Sequence, residues 1–133
     1  MDIQNLILTH FFPGHSWDSL WVFCPNRMLW EAIPSSSARQ ITYPEVLDKV
    51  QKAQAVYVVH EPLSSIHFGT QPDCKRISPQ DFCSALPNWN DANRDQPLYI
   101  FDEAFSWMIA LTAENTSSGG ELCVIMHRIT PLI

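Results

Sequence analysis

The residues of this sequence that come closest to a catalytic cluster are His60, Glu61, His67 and Cys74. A cysteine near a histidine and a carboxylate can form a reactive thiolate or bind zinc. However, His60 and Glu61 are adjacent, and adjacent residues of a strand point to opposite faces of the sheet. The interval from His60 to His67 also matches no metal-binding motif. The pattern favours histidines with ordinary hydrogen bonds and predicts no metal ion, cofactor or catalytic residue; a metal- or thiol-dependent hydrolase using His60, His67 and Cys74 stays an alternative.

Two other kinds of catalytic motif have no counterpart in the sequence. Its four glycines do not combine the spacing of a phosphate-binding loop with a strand-to-helix junction, and no serine stands in a Gly-x-Ser-x-Gly turn. The four cysteines form no Cys-x-x-Cys pair, which argues against a zinc ribbon and a redox motif. Cys24 and Cys123 lie in apolar runs and are interpreted as small buried hydrophobic residues.

Binding residues are easier to find than catalytic ones. Asp102, Glu103 and Glu114 lie near the ends of predicted strands, where turns can gather them into an acidic patch that pairs with a basic partner. The alternative for Asp102 is turn chemistry, in which its carboxylate accepts hydrogen bonds from local backbone amides. Trp89 has only polar neighbours, which makes it a candidate for an exposed aromatic contact, although it can also fold back onto the core.

The bulk properties limit the class of protein. At 133 residues the chain is predicted to be a single globular domain, residues 1–133. Eight basic against fourteen acidic residues give a net charge of -6, which argues against nucleic acid or an anionic membrane as the partner. The N-terminus lacks the features of a signal peptide, and no apolar run has the ~20 residues that span a bilayer, so we expect a cytoplasmic protein.

Periodicity and capping residues predict the elements that must position these side chains. Helices are predicted over residues 2–12, 42–54 and 79–86, from one-face apolar spacing and from capping residues such as Thr42 and Ser78. The strands are predicted as a hairpin of residues 19–24 and 28–33, a strand at 55–60 with a partner at 66–70, and three consecutive strands within residues 97–127. These elements predict an α+β fold, with a mainly antiparallel sheet of six or seven strands and two or three helices packed on one face.

The segment from Leu98 to Glu114, with the later Cys-containing strand, resembles small bacterial immunity proteins of polymorphic-toxin and interbacterial-competition systems. The matching residues are Phe101, Asp102, Phe105, Trp107, Thr112 and Glu114. Ala113 stands where such proteins often have a histidine, so no role of that histidine is carried over. The resemblance covers about a quarter of the chain and implies a protein that binds a cognate toxin and blocks it.

The leading hypothesis is therefore a non-enzymatic immunity protein that occludes the active site or an essential surface of its toxin. The expected partner is a protein toxin with a basic surface, contacted through Trp89, Asp102, Glu103 and Glu114. An adaptor or chaperone that delivers an effector is a further alternative.

Overall fold

The computed structural model describes residues 2–26, 28–61, 63, 74–92, 97–115 and 121–129 of the chain. Its α-helices are α1 (Ile3–Phe11), α2 (Trp17–Leu20), α3 (Tyr43–Gln51) and α4 (Pro79–Ala92), and short 3-10 helices span Trp21–Phe23 and Leu29–Ala32. Its strands are β1 (Ala38–Ile41), β2 (Val56–His60), β3 (Cys74–Ile77), β4 (Leu98–Asp102), β5 (Trp107–Asn115) and β6 (Glu121–His127).

The six strands form one sheet in the order β1-β6-β5-β4-β2-β3, and every neighbouring pair is antiparallel. Strands β4, β5 and β6 follow one another as a meander at its centre, where three consecutive strands were predicted. Successive side chains of these strands point to opposite faces of the sheet. The predicted α+β class and the mainly antiparallel sheet are confirmed.

Side-chain caps explain where several helices begin. The Asp2 carboxylate accepts the Asn5 amide at the start of α1, and Thr42 and Glu45 form a reciprocal capping box at the start of α3. The Ser78 hydroxyl accepts the Asp81 amide before α4. The predictions of α1 and α3 are confirmed, whereas α4 extends beyond its predicted end to Ala92.

Two apolar clusters lie on opposite faces of the sheet. Helices α3 and α4 cover one face through Val46, Val50 and Phe82. Two or three helices were predicted on one face, whereas α1, one of the predicted helices, packs on the other. The other face is covered by the N-terminal layer, which we define as residues 3–26 and 28–33, and chiefly by α1 and buried leucines of the segment that follows it. The sheet is thus enclosed between two layers of helical structure.

The predicted hairpin of residues 19–24 and 28–33 is wrong, because both segments are helical. Ser16 and Ser19 form a capping box that starts α2. The side chains turned inward are Trp17, Leu20, Trp21 and Cys24, a spacing of three to four residues that belongs to a helix. The predicted strand at residues 66–70 lies outside the described residues, and the described antiparallel partners of β2 are β3 and β4.

Candidate functional site

The most exposed large apolar side chains of the described residues belong to the N-terminal layer. Val22 and Phe23 are 80 % and 58 % exposed. Helical spacing explains this exposure, because the inward positions of the segment are taken by the tryptophans, Leu20 and Cys24. Asp18, Ser19, Val22 and Phe23 are all exposed and form what we call the outer face.

An apolar groove adjoins the outer face. It has a volume of about 560 Å³. The residues that line it include Phe11, Phe12, Leu20, Phe23, Ile33 and Ile129. The Phe23 ring stands at this groove and meets the edge of the His15 ring, with centroids 5.7 Å apart and planes at 89°. Phe23 is therefore an exposed aromatic side chain whose position is supported from one side, as in a preformed contact site.

The Glu31 carboxylate is the only carboxylate or permanent cation among the described residues that line the groove. Its Oε1 accepts the backbone amides of Asn26 at 3.0 Å and Met28 at 3.1 Å, and its Oε2 accepts the Asn26 side-chain amide at 3.0 Å. All three donors are neutral, and no described residue forms an ion pair with Glu31. The groove therefore has a fixed negative charge at its wall.

A buried carboxylate anchors this wall of the groove to the sheet. Glu61, which is 5 % exposed, accepts the Leu29 amide at 2.6 Å, the Leu63 amide at 2.8 Å and the Tyr99 hydroxyl at 2.7 Å. The hydroxyl of the fully buried Tyr99 in turn accepts the Trp30 amide at 2.9 Å. Glu61 and Tyr99 thus hold two consecutive amides of the 3-10 helix Leu29–Ala32 against the sheet.

Burial shifts the pKa values of Glu61, Tyr99 and the nearby Cys24. It raises the pKa of Glu61, although its three hydrogen-bond donors oppose this effect, and the neighbouring Glu31 charge raises that pKa further. The pKa of Tyr99 lies well above its ordinary value because of burial and the Glu61 charge. Burial, followed by the charges of Glu31 and Glu61, raises the pKa of Cys24 to about 12. The cluster contains no reactive thiolate at neutral pH and acts as a structural anchor.

A second hydrogen bond connects the N-terminal layer to the segment that follows β6. The Ile129 amide donates to the His10 carbonyl at 2.9 Å, just beyond β6. The His10 ring stacks on Phe105 with centroids 5.8 Å apart, and burial followed by the charge of Arg128 lowers the pKa of His10. Ile129 also lines the apolar groove, so the end of β6 helps to shape the site.

The turn between β4 and β5 accounts for the residue pattern on which the family resemblance rests. Asp102 Oδ1 accepts the amides of Ser106 at 2.6 Å and Trp107 at 3.3 Å, which is the turn chemistry considered for this residue. Phe105 has a φ of 54°, and its ring packs against Phe101 and Tyr57 with centroids 5.3 and 5.6 Å apart. Trp107 is buried on the opposite face. The pattern Phe-Asp-x-x-Phe-x-Trp therefore specifies a hairpin.

The predicted acidic contacts do not form one patch. Glu103 forms an ion pair with Arg76 at 2.9 Å and lines a cleft of about 310 Å³ together with Lys49 and Lys52. Asp102 lies at this same end of the β4–β5 hairpin and is half-buried. Glu114 is exposed near the other end of β5. Basic side chains offset the charge of Glu103 at the β4–β5 turn, which lies at the opposite end of β5 from Glu114.

The remaining predicted residues are also separated or undescribed. Cys74 faces Val59 across the β2–β3 pair and packs on the face covered by the N-terminal layer. His60 follows Val59 and therefore points to the opposite face. His67 and the side chain of Trp89 lie outside the described residues, whereas the Trp89 backbone belongs to α4. Within the described residues, no three His, Cys, Asp or Glu side chains are grouped to hold a metal ion.

Val22, Phe23, Glu31 and the anchoring role of Glu61 were not predicted from the sequence as parts of a site. The available signal was the spacing of inward positions 17, 20, 21 and 24, which leaves Val22 and Phe23 outside on a helix. Their β-prone residue types favoured a strand instead.

Comparison with protein-family profiles, with curated proteins and with solved structures finds no match for this chain. Among the described residues, no helix is both long and apolar enough to cross a membrane.

Proposed function

We propose that this chain is an immunity protein that binds a cognate bacterial toxin in the cytoplasm of the producing cell and neutralises it by covering its active site or an essential surface. The observation that carries the binding part of this proposal is the exposure of Val22 and Phe23 beside the apolar groove. The toxin class rests on the resemblance of the segment from Leu98 to Glu114 to immunity proteins.

The physical argument for a binding surface is the cost of leaving these side chains in water. Transfer of a valine or phenylalanine side chain out of water is worth roughly 1.5–3 kcal/mol. Clustered exposed apolar groups on a small domain are a feature of interaction sites.

The outer face adds to the contacts predicted from the sequence. Trp89, Glu103 and Glu114 stay predicted contacts, while Asp102 has a defined role in the turn. With a net charge of -6, the protein favours a toxin that presents basic residues.

Co-expression tests the proposal directly. Each gene product encoded next to this chain is induced in a bacterial host with the full-length protein or with an empty vector. Relief of lethality by the full-length protein, together with a purified complex of the two proteins, is the expected result. The proposal fails if no neighbouring product is toxic, or if a toxic one kills equally well with this protein present at verified levels.

Variants of the outer face test whether protection from the toxin depends on this surface. Phe23→Ser and Val22→Ser are expected to reduce protection while leaving the free energy of unfolding nearly unchanged, because both side chains are exposed. Gln51→Ser, which introduces the same residue at an exposed, uncharged position of α3, is the control and is expected to protect fully.

A further inference from the structure

We infer that the groove and the outer face bind a segment of the partner protein that inserts an apolar side chain beside Phe23 and places lysine or arginine side chains near Glu31 at the groove and near Asp18 on the outer face. The inference rests on the proposed function and names the chemistry of the segment that this surface recognises.

The basic part of the segment follows from the charges around the groove. Glu31 carries its charge on the groove wall, with three neutral donors and no ion-pair partner among the described residues. Asp18 is exposed about one helical turn before Val22, and no ion pair involves it in the described part of the chain. Two carboxylates thus border one apolar surface, whereas Glu103 at the β4–β5 turn is paired with Arg76. An arriving cation gains most at carboxylates that have no ion-pair partner within the described part of the chain.

The apolar part follows from the shape and lining of the groove. A volume of about 560 Å³ is far larger than one side chain needs, and the residues that line it include Phe12, Leu20 and Ile129 as well as Phe23. Phe23 lines this space, and its ring is in T-shaped contact with the His15 ring. An aliphatic or aromatic side chain entering here contacts apolar atoms on several sides, which is the environment of an interface hot spot.

The local geometry allows the charge of Glu31 to be removed with its hydrogen bonds kept. In Glu31→Gln the remaining carbonyl oxygen can still accept the backbone amides of Asn26 and Met28. The new amide then faces the Asn26 side chain, which can rotate by half a turn and accept instead of donating. This variant therefore tests the charge and leaves the wall in place.

Three synthetic peptides test the inference on the full-length, isotope-labelled protein. The first has leucine and phenylalanine flanked by lysines, the second replaces the lysines with glutamates, and the third keeps the lysines but replaces the apolar residues with serines. The first peptide is expected to shift the amide resonances of residues 16–33 and to bind more tightly than the other two. Glu31→Gln and Asp18→Asn should each weaken it by about two- to fivefold, and Phe23→Ser by about five- to thirtyfold.

Matched controls separate local effects from general electrostatics. Asp81→Asn removes an exposed carboxylate of α4 that forms no ion pair among the described residues, and Asp48→Asn removes one of α3 that pairs with Lys52. Both helices lie on the other side of the sheet, and both variants are expected to leave the affinity unchanged. The inference is overturned if the glutamate peptide binds as well as the lysine peptide, if the shifted residues lie elsewhere, or if the controls weaken binding equally. It is also overturned if residues 16–33 shift with protein concentration alone, since the occupant is then a second copy of this chain.

The outcomes for the site and for the function are distinguishable. Protection from a toxin that persists in Phe23→Ser and Glu31→Gln contradicts the inferred site and leaves the immunity function standing. Specific binding of the lysine peptide with no protection from any neighbouring gene product supports the site and contradicts the immunity function.

Discussion

The hydroxyl of Tyr99 in β4 donates to Oε2 of Glu61 at the end of β2 and at the same time accepts the backbone amide of Trp30. Glu61 binds the next amide toward the N-terminus, that of Leu29. One buried tyrosine and one buried carboxylate therefore attach the wall of the groove to the central sheet. This arrangement links the stability of the fold to the shape of the proposed docking surface.

Tyr99→Phe is expected to lower the free energy of unfolding by about 1–3 kcal/mol, because it leaves the Trp30 amide without its acceptor and removes one of the two donors to Oε2 of Glu61. Combined with Glu61→Gln in a double-mutant cycle, it should show a coupling of about 0.5–3 kcal/mol in urea unfolding. Tyr43→Phe is the matched control, since it removes a hydroxyl–carboxylate bond to Glu121 at a partly buried site, and it should cost less. Wild-type stability of Tyr99→Phe would contradict the anchoring role.

The raised pKa of Glu61 predicts a defined pH dependence of stability. Below the ordinary glutamate value of 4.5 the carboxyl is protonated in the folded and unfolded states, and its favourable contribution is complete. As the pH rises from there through the higher folded-state pKa, the folded state holds a proton that the unfolded state has lost, so the contribution is progressively lost.

Unfolding of the wild type and Glu61→Gln across this pH range measures that contribution. The wild-type free energy of unfolding minus that of Glu61→Gln should fall as the pH rises, because the other titrating groups are common to both proteins. A difference that increases with pH would show that the donors from Leu29, Leu63 and Tyr99 outweigh burial.

The thiols are expected to divide into two classes. Cys24 and Cys123 are buried, with a pKa of about 12 for each, so roughly one in 10⁴ of either is a thiolate at pH 8. Mass spectrometry after brief alkylation should find modification confined to Cys74 and Cys83 in the native protein and at all four cysteines in urea. Native-state labelling of Cys24 at the rate seen in urea would show that the N-terminal layer opens readily.

The left-handed backbone of Phe105 predicts an unusual order of two substitutions. Loss of the ring is expected to cost about 3–5 kcal/mol in Phe105→Ala. Phe105→Gly should be more stable than Phe105→Ala by about 1 kcal/mol, because glycine adopts a φ of 54° without a steric penalty. At Phe101, in the extended strand β4, the order should reverse, so Phe101→Gly and Phe101→Ala are the controls. Thermal unfolding of the four variants measures both orders.

Local sequence signals identified most of the fold. The caps at Thr42 and Ser78 and the apolar runs of β2, β4 and β6 are properties of short segments, and the corresponding elements were predicted. Strand β3 was missed because its four residues include the exposed Lys75 and Arg76, which leave little apolar pattern to detect.

The candidate site was harder to predict, since its exposure depends on packing between distant segments. The run from Ser19 to Cys24 has the residue types of a strand, yet the Ser16 cap and the face offered by the sheet select a helix. Tertiary packing thus overrides β-propensity there and turns Val22 and Phe23 outward. The role of Asp102 could be inferred from turn chemistry, whereas the Glu103–Arg76 pair joins β3 to the β4–β5 turn and has no local signature.

The bond between the Ile129 amide and the His10 carbonyl has a consequence for the order of folding. Contacts between residues far apart in sequence form late, because a long loop must close first. The meander β4–β5–β6 is local, but the N-terminal layer is held by partners in β2, in β4 and beyond β6. We therefore expect the N-terminal layer to leave the ribosome before the strands that hold it and to reach its final place after they have paired, with its apolar side chains available to chaperones in the interval.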